Sequence, residues 1–348
     1  MKEITINSNR KELDWKIFKN CSALEVITIP KTITEIAEEA FCGCTNLQKI
    51  KFEENSQLKK IGNNAFENCD NLSKIVLPEN VESVGEKAFY HCDLLEDVRL
   101  NNKLNSLSSN VFCSCKNLKQ IEFLEGLTFI CDGAFGNCYE LQEIILPKTV
   151  QKIGVEVFYN CDSLINVNMQ NNVVSLGKGA FYDCESLNQI VLSTGIKKIP
   201  NEAFRGCSSL ESISLPYQVE TIEDNAFKNC TKLKKITIPK ATTSISDSAF
   251  SYPDKMTIYG VAGSYAEQYA KENDIAFVAQ QIATEKITLT ETELTLGRNE
   301  KYQLTAGLNP MDSTDEVIWS SSDEKIAKVD KTGNIEAISA GEAVITAK

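Results

Sequence analysis

Histidine is almost absent from this sequence, since His91 is the only one among 348 residues. Most catalytic triads and most zinc sites include histidine, so both kinds of site are largely excluded. The sequence also lacks a Gly-rich phosphate loop, a G-x-S-x-G motif and a paired His–carboxylate motif. We therefore predict no catalytic residue, no metal site and no cofactor.

Long apolar runs are missing as well. No stretch of 18 apolar residues occurs, so the sequence predicts no membrane-spanning helix and no direct membrane insertion. The N-terminal residues MKEITINSNRKELDW contain no apolar core of the signal-peptide kind. Two alternatives follow: the protein is cytosolic, or a secretion signal lies upstream of this sequence.

Positive charge is scarce. The 36 basic side chains are outnumbered by 48 acidic ones, which gives a formal net charge of −12. Nucleic acids and anionic lipid surfaces both require a basic patch on the protein that binds them. Neither is predicted as a partner.

What the sequence does contain is a repeat marked by phenylalanine. Successive copies are 23 residues apart, except for one step of 25 whose two extra residues fall in the polar stretch EENSQ, 53–57. The repeated residues are Phe18, Phe41, Phe66, Phe89, Phe112, Phe135, Phe158, Phe181, Phe204, Phe227 and Phe250. A strict period of this length predicts a repeat architecture.

Each repeat predicts one coil of a solenoid. Its L-x-x-I-x-L portion, as in Leu72, Ile75 and Leu77, has the alternation of a short strand with one buried face. The polar segment before each phenylalanine, such as GEKAF at 85–89, is typical of a short helical turn. One unit cannot bury its apolar side alone, so the coils must stack.

The unit V-x-x-I-G-x-x-A-F-x-x-C-x-x-L-x-x-I-x-L-P resembles the BspA-type leucine-rich repeats of bacterial surface proteins over about residues 1–280. The resemblance implies a right-handed leucine-rich-repeat superhelix. It also implies binding partners of the kind known for the family, which include host matrix proteins.

Cysteine is the second repeated residue. Ten equivalent copies argue against a catalytic thiol, and one thiol per coil cannot form a tetrahedral metal site. We expect a reduced, buried ladder, with disulfides between neighbouring coils as the alternative. Three further cysteines, Cys42, Cys113 and Cys131, lie off the ladder and are interpreted as incidental or lone thiols. The ladder is Cys21, Cys44, Cys69, Cys92, Cys115, Cys138, Cys161, Cys184, Cys207 and Cys230.

The two ends of the array differ. Ile4 and Ile6 lie 23 residues before Ile27 and Ile29, so the sequence starts inside a coil, and we expect further repeats or a cap upstream. At the other end, Ser264 and Glu267 have the spacing of a capping box. It would open a helix near 264–273, whose two tyrosines and two alanines (Tyr265, Ala266, Tyr269 and Ala270) would close the last coil.

The repeat pattern ends before residue 284, where Thr-, Val- and Ile-rich segments with Gly turns predict a second, all-β domain over 284–348. Leu296-Gly297, WSSSD at 319–323, Gly333, Gly341 and ITA at 345–347 resemble the bacterial Ig-like group 2 domain. The resemblance implies an Ig-like sandwich that usually has one more strand after ITA, which leaves open whether this one is complete.

Two sets of residues are candidates for binding. The first is the outward residue of each predicted strand, including Val76, Arg99, Glu122, Ile145, Asn168 and Val191, which we call the strand column. Its apolar members among polar neighbours are compatible with a protein-binding surface. The second is the tyrosine edge, which consists of Tyr90, Tyr139, Tyr159 and Tyr182 next to the Phe-x-x-Cys turns.

These observations predict a non-enzymatic protein of the bacterial surface or exterior, with its signal and anchor outside this sequence. Its expected partner is a host extracellular matrix protein, a glycoprotein such as mucin, or another cell-surface protein. The alternative is a structural spacer that projects another domain from the cell.

Overall fold

The structure, a computed structural model, describes residues 2–6, 9–169, 172–251, 255–309 and 313–348. Through residue 251 each coil contributes one long strand of three or four residues and one short strand of two. Long and short strands alternate along the chain, so odd numbers denote long strands and even numbers short ones. They are β1 (Glu3–Thr5), β2 (Glu12–Leu13), β3 (Val26–Ile29), β4 (Glu35–Ile36), β5 (Lys49–Phe52), β6 (Lys60–Ile61), β7 (Lys74–Val76), β8 (Ser83–Val84), β9 (Asp97–Arg99), β10 (Ser106–Leu107), β11 (Gln120–Glu122), β12 (Phe129–Ile130), β13 (Glu143–Ile145), β14 (Lys152–Ile153), β15 (Asn166–Asn168), β16 (Ser175–Leu176), β17 (Gln189–Val191), β18 (Lys198–Ile199), β19 (Ser212–Ser214), β20 (Thr221–Ile222), β21 (Lys235–Thr237) and β22 (Ser244–Ile245).

Strands of successive coils pair in parallel, which confirms the predicted solenoid of 23-residue coils. Ile4 pairs with Ile27 and Ile27 with Ile50, each one period further along the chain. On the long-strand side the ladders are β1-β3-β5, β7-β9-β11, β13-β15-β17 and one that begins β19-β21. On the short-strand side they are β2-β4-β6-β8, β10-β12-β14-β16 and β18-β20-β22.

The second strand of each coil was not predicted, and the predicted helical turn is absent from the described coils. The segment around each phenylalanine is instead a run of tight turns, in which Cys44 N–H, for example, donates to the Phe41 carbonyl at 3.1 Å. Left-handed residues two positions before and two after the phenylalanine interrupt any helix, as Glu156 (φ 52°) and Asn160 (φ 54°) do around Phe158.

The core of the solenoid is one continuous apolar cluster. Its centre is a stack of phenylalanine rings, one per coil, from Phe18 to Phe250. Adjacent ring centroids are between 5.1 and 5.7 Å apart, within the range of favourable offset stacking. The inward isoleucine, valine or leucine of each strand and the residue before each phenylalanine, which is alanine in most coils and valine or isoleucine in the others, fill the remaining space.

The C-terminal end of the array is closed by β23 (Thr257–Gly260), helix α1 (Tyr265–Glu272) and β24 (Ala276–Ala279), and both strands extend the β19-β21 ladder. Ala266, Tyr269 and Ala270 are buried against the last coil. Tyr265 is not, because 36% of it is exposed.

The predicted capping box is wrong. Ser264 is the N-cap residue, but its hydroxyl makes no capping hydrogen bond. The Glu267 carboxylate accepts from the Gly263 N–H at 2.6 Å, one residue before the N-cap. The helix therefore begins where the spacing predicts, with one of the two reciprocal bonds absent and the other displaced.

The second domain consists of β25 (Lys286–Leu289), β26 (Lys301–Gln303), β27 (Ala306–Asn309), β28 (Trp319–Ser321), β29 (Ala327–Val329), β30 (Asn334–Ala337) and β31 (Ile345–Ala347). All of its pairings are antiparallel: β25-β27, β26-β30-β29 and β28-β31. Gly333 takes φ 87° in the turn before β30, where Asp330 accepts a hydrogen bond from the Thr332 N–H at 2.8 Å. This strand-rich region follows the predicted all-β pattern.

Candidate functional site

The strand column lies on the outer face of the long-strand ladders. Register pairs Val76 with Arg99 and Arg99 with Glu122, and in the next ladder Ile145 with Asn168 and Asn168 with Val191. Their inward neighbours Ile75, Val98, Ile144 and Val167 are buried in the core. Alternation along each strand therefore fixes the outward direction of the column.

Three apolar members of this column are exposed. Their exposed fractions are 44% for Val76, 57% for Ile145 and 59% for Val191. Ile145 and Val191 flank Asn168, so they are two strand spacings apart, roughly 10 Å. Val76 lies about three spacings from Ile145, roughly 14 Å. The structure thus brings Ile145 and Val191 together around one polar residue and separates Val76 from them.

Two charged side chains, Arg99 and Glu122, occupy the column positions between Val76 and Ile145. The Arg99 Nε lies 3.2 Å from a Glu122 carboxylate oxygen, and both side chains are more than half exposed. An exposed pair of this kind contributes little to stability. It does place a cation and an anion on the same face as the apolar residues, which is the mixture found at the margins of protein interfaces.

The tyrosine edge does not form a single surface. Tyr90, Tyr159 and Tyr182 directly follow the coil phenylalanine, whereas Tyr139 follows Cys138 and lies elsewhere on its coil. Tyr139 is 36% exposed, and the other three are only partly accessible. The four residues predicted as one edge therefore occupy two positions of the repeat.

Three of these tyrosines are engaged within the protein. The Tyr159 ring lies against the backbone of Gly136, and its hydroxyl accepts a hydrogen bond from the Asn137 side-chain amide. Burial, and to a lesser extent the nearby Cys113, raises the pKa of Tyr159 to about 12. The Arg205 guanidinium lies 5.1 Å from the centre of the Tyr182 ring, and Tyr90 meets His91 edge-on at 4.5 Å. These contacts make the edge a weaker candidate than the strand column.

The cysteine ladder has a specific contact in addition to its packing. Nine of its ten thiols donate to the carbonyl oxygen of the phenylalanine in the preceding coil, over 3.0 to 3.4 Å. The pairs are Cys44–Phe18, Cys69–Phe41, Cys92–Phe66, Cys115–Phe89, Cys138–Phe112, Cys161–Phe135, Cys184–Phe158, Cys207–Phe181 and Cys230–Phe204. Each carbonyl thereby accepts a bond from the next coil as well as from its own turn.

All thirteen cysteines are free thiols. The nine bonded ladder members are buried, and Cys21 at the first coil is half-buried. Burial raises the pKa of the Cys44 and Cys230 thiols to about 12, and it also raises the pKa of Cys138, deeper in the array, well above its ordinary value. A neutral thiol is a poor nucleophile and a poor metal ligand, so the ladder cannot act as a reactive site.

The cysteines off the ladder are not alike. Cys42 and Cys113 are buried, whereas Cys131 is half-buried. Burial raises the pKa of all three thiols. Cys113 lies among Ser114, Asn137 and Tyr159, so it is a packed member of the turn rather than a lone thiol.

A groove that the sequence analysis missed lies between β5 and β7. It has a volume of about 990 Å³, and its lining includes Ile50, Phe52, Val76 and the inserted loop 53–57. Two signals could have found it. One is the single 25-residue step, and the other is Phe52, which replaces the isoleucine or leucine found at the equivalent position of coils such as those of Ile29 and Leu77.

Comparison with protein-family models gives a match to the BspA type leucine rich repeat region over residues 1–59, 51–161 and 128–257. The chain belongs to the BspA-type leucine-rich-repeat family. A second model, the bacterial Ig-like domain (group 2), matches residues 283–348. Leucine-rich repeats typically mediate protein interactions, and BspA-type members are bacterial cell-surface proteins.

One solved structure supports this assignment. A leucine-rich repeat protein from Bacteroides ovatus is 30% identical, with a TM-score of 0.53, over 80% of this chain and 84% of that one. A leucine rich cell surface protein from Faecalibacterium prausnitzii is 27% identical over 78% of this chain and 90% of that one, with a TM-score of 0.43.

Curated relatives share only segments with this BspA-type chain. Polysaccharide lyase 8 family protein HylA of Enterococcus faecalis is 38% identical over 87 residues, which are 24% of this chain and 6% of that protein. Lacto-N-biosidase of Bifidobacterium bifidum is 44% identical over 54 residues, which are 16% of this chain and 5% of that protein. The chain thus spans a small fraction of the relatives it matches.

Among the described residues, no helix is long and apolar enough to cross a membrane.

Proposed function

We propose that this chain is a non-enzymatic binding module of the bacterial surface or exterior, which contacts host matrix proteins, mucin-like glycoproteins or neighbouring cells through the strand column. Membership of the BspA-type family supports a protein-binding role. The observation that carries the proposal is the exposure of Val76, Ile145 and Val191 on the outer face of two consecutive long-strand ladders.

Such a face suits recognition of a protein for physical reasons. The strands are held by backbone ladders and a packed core, so their outward side chains need little reordering on binding. The apolar residues can form the buried centre of an interface. The charged and amide groups around them can form its polar rim, where they hydrogen-bond to the partner or to water. The net charge of −12 further favours a partner with a basic or neutral surface.

A second function is favoured by the comparisons with curated relatives. The two enzymes of Enterococcus faecalis and Bifidobacterium bifidum match this chain over only 6% and 5% of their lengths. Segments like those shared here occur within much larger proteins, which is the expected arrangement for a spacer. On this alternative the array and the Ig-like domain would project another domain and would bind nothing themselves.

Solution binding to a panel of matrix proteins and mucins separates the two functions. The intact chain is compared with a Val76→Glu, Ile145→Glu, Val191→Glu variant whose fold is checked by circular dichroism. Saturable binding that the variant loses supports the strand column. Binding that the variant keeps moves the site to the tyrosine edge or the Ig-like domain, and the absence of binding favours the spacer.

A further inference from the structure

The groove between β5 and β7 is an interruption of the long-strand ladder with unused hydrogen-bonding edges. Lys49 N–H donates to Glu25 and Glu53 N–H to Ile29, so the odd-numbered residues of β5 face β3. By the alternation of a parallel ladder, Ile50 and Phe52 direct their backbone groups toward β7, and Lys74 and Val76 direct theirs toward β5. Both strands are fully described, and they are not paired with each other: β5 is the last strand of one ladder and β7 is the first strand of the next.

The opening is confined to one side of the coil. On the short-strand side the ladder continues without a break, since Lys60 pairs with both Glu35 and Ser83. The ring stack is also closed here, with Phe66 centred 5.1 Å from Phe41 and 5.3 Å from Phe89. These two coils are therefore in contact and in register on their other sides, and the opening is local to β5 and β7.

The floor of the groove is apolar and partly uncovered. Ile50 and Phe52 pack on the core but are only half-buried, whereas their equivalents Ile27 and Ile29 in the preceding coil are fully buried. Phe52 is larger than the isoleucine or leucine at the equivalent position of coils such as those of Ile29 and Leu77, and it adds to the apolar surface of the groove. An inserted apolar side chain would cover both residues.

The rim is ordered by hydrogen bonds around the two-residue insertion. Glu53 N–H donates to the Ile29 carbonyl at 3.1 Å and Gln57 N–H to the Lys31 carbonyl at 2.9 Å. The Asn80 side-chain amide donates to the Ser56 carbonyl at 2.9 Å. The loop 53–57 thus forms a fixed wall at the C-terminal end of β5.

Charge gives the groove a direction. Lys49 and Lys74 line the end where β5 and β7 begin, although the Lys74 ammonium is paired with Asp97 of β9 at 2.5 Å, and Glu53, Glu54 and Glu79 line the end where the two strands finish. A segment that runs parallel to the strands would place its N-terminal residues beside the lysines and its C-terminal residues beside the glutamates. Charge complementarity therefore favours an acidic residue first and a basic residue last.

We propose that this groove binds an extended peptide segment, acidic at its N-terminal end, apolar in the middle and basic at its C-terminal end, as an added parallel strand between β5 and β7. Strand addition uses unpaired main-chain groups for affinity and flanking pockets for specificity. The volume of about 990 Å³ is at the upper end of the range of about 300–1,000 Å³ for ligand sites. This second site is independent of the proposed role of Ile145 and Val191.

The test uses the intact chain and a fluorescein-labelled hexapeptide, Asp-Thr-Val-Thr-Val-Lys, with its termini blocked. Fluorescence anisotropy should show saturable binding. A peptide N-methylated at its two central residues lacks two donors and should bind at least about tenfold more weakly. A peptide with the aspartate and the lysine exchanged should also bind more weakly.

A matched pair of protein variants tests the same edge. Val76→Pro removes an N–H that points into the groove, and should weaken peptide binding about tenfold. Val76→Ala retains the N–H and should change the dissociation constant of the peptide by no more than about threefold. An Ile145→Glu, Val191→Glu variant should bind the peptide normally even if the strand column proves to be the partner surface.

Three results would overturn the proposal: no saturable binding of the hexapeptide, equal binding of the N-methylated peptide, or equal binding by the Val76→Pro and Val76→Ala variants. If Val76→Pro does not fold, the peptide comparison alone decides.

Discussion

The thiol of Cys161 donates a hydrogen bond to the carbonyl oxygen of Phe135, one coil earlier, at 3.3 Å. That carbonyl also accepts the Cys138 N–H within its own turn, at 3.3 Å. A cysteine at this position thus fills a small apolar space and links two coils through a donor that is small enough to stay buried. This pairing gives a physical reason for the recurrence of cysteine that packing alone does not supply.

The thiol bond predicts an order of stability among substitutions at Cys161. Cys161→Ala removes the sulfur and the donor, and should lower the free energy of unfolding by about 1–3 kcal/mol. Cys161→Ser retains a donor in reach of the same carbonyl and should lower it less. Urea denaturation followed by circular dichroism measures both. Equal losses for the two variants would show that the hydrogen bond has no role.

The buried thiols also predict a loss of stability at alkaline pH. Their pKa values are raised by burial, to about 12 for Cys44 and Cys230, from an ordinary value of 9.0. The unfolded chain therefore releases these protons from pH 9 upward while the folded chain retains them. The stabilisation is complete below pH 9 and decreases above it, by up to about 1.4 kcal/mol per pH unit for each thiol.

Urea midpoints measured between pH 8 and pH 11 test this dependence. The matched comparison is a Cys138→Ser, Cys161→Ser, Cys184→Ser variant, whose midpoint should fall less steeply above pH 9. Parallel curves for the two proteins would contradict the assignment of the slope to the ladder.

The ring stack predicts a gradient of sensitivity from the middle to the end of the array. Phe135 is fully buried between Phe112 and Phe158, at 5.7 and 5.6 Å, whereas Phe18 is only partly buried. Phe135→Ala should lower the free energy of unfolding by about 3–5 kcal/mol, and Phe18→Ala by less. Equal effects measured by urea denaturation would argue against a continuous stacked core.

At coil positions where the backbone has a positive φ, we predict that glycine is tolerated and that β-branched residues are not. Glu156 is exposed, has φ 52°, and is followed one period later by Gly179 with φ 58°. Glu156→Gly should leave the free energy of unfolding unchanged or raise it by up to about 1 kcal/mol. Glu156→Val should lower it by about 1–2 kcal/mol. Thermal or urea denaturation would contradict this if the two variants had the same stability.

The solenoid could be predicted from the sequence because its period repeats in register. Each inward residue, such as Ile27, predicts the next, here Ile50, so a single pattern fixes strand, core and stacking direction together. Short strands such as β6 escaped prediction because two residues are too few to show alternation. The left-handed conformation of Glu156 and Lys87 escaped prediction because neither glutamate nor lysine usually signals positive φ.

Of the candidate sites, the strand column could be predicted from the sequence, whereas the groove and the contacts of the tyrosines could not. The outward direction of Val76, Ile145 and Val191 follows from strand alternation, so the strand column could be placed from sequence. The groove lies between two coils and is lined by Phe52 and the loop 53–57 from one coil and by Val76 from the next. The repeat pattern of the sequence does not show how residues of two neighbouring coils pack against each other. The contacts of Tyr159 likewise depend on Gly136, one coil away.

The most direct test of the central claim compares two charge variants that have the same number of new carboxylates. One is Val76→Glu, Ile145→Glu, Val191→Glu on the strand column, and the other is Ser83→Glu, Phe129→Glu, Ser175→Glu on the exposed positions of the short strands. For any panel protein that binds the intact chain, the dissociation constant is measured for all three proteins. A binding site on the strand column predicts a loss of at least about tenfold for the column variant only, and an equal change in both variants would contradict such a site.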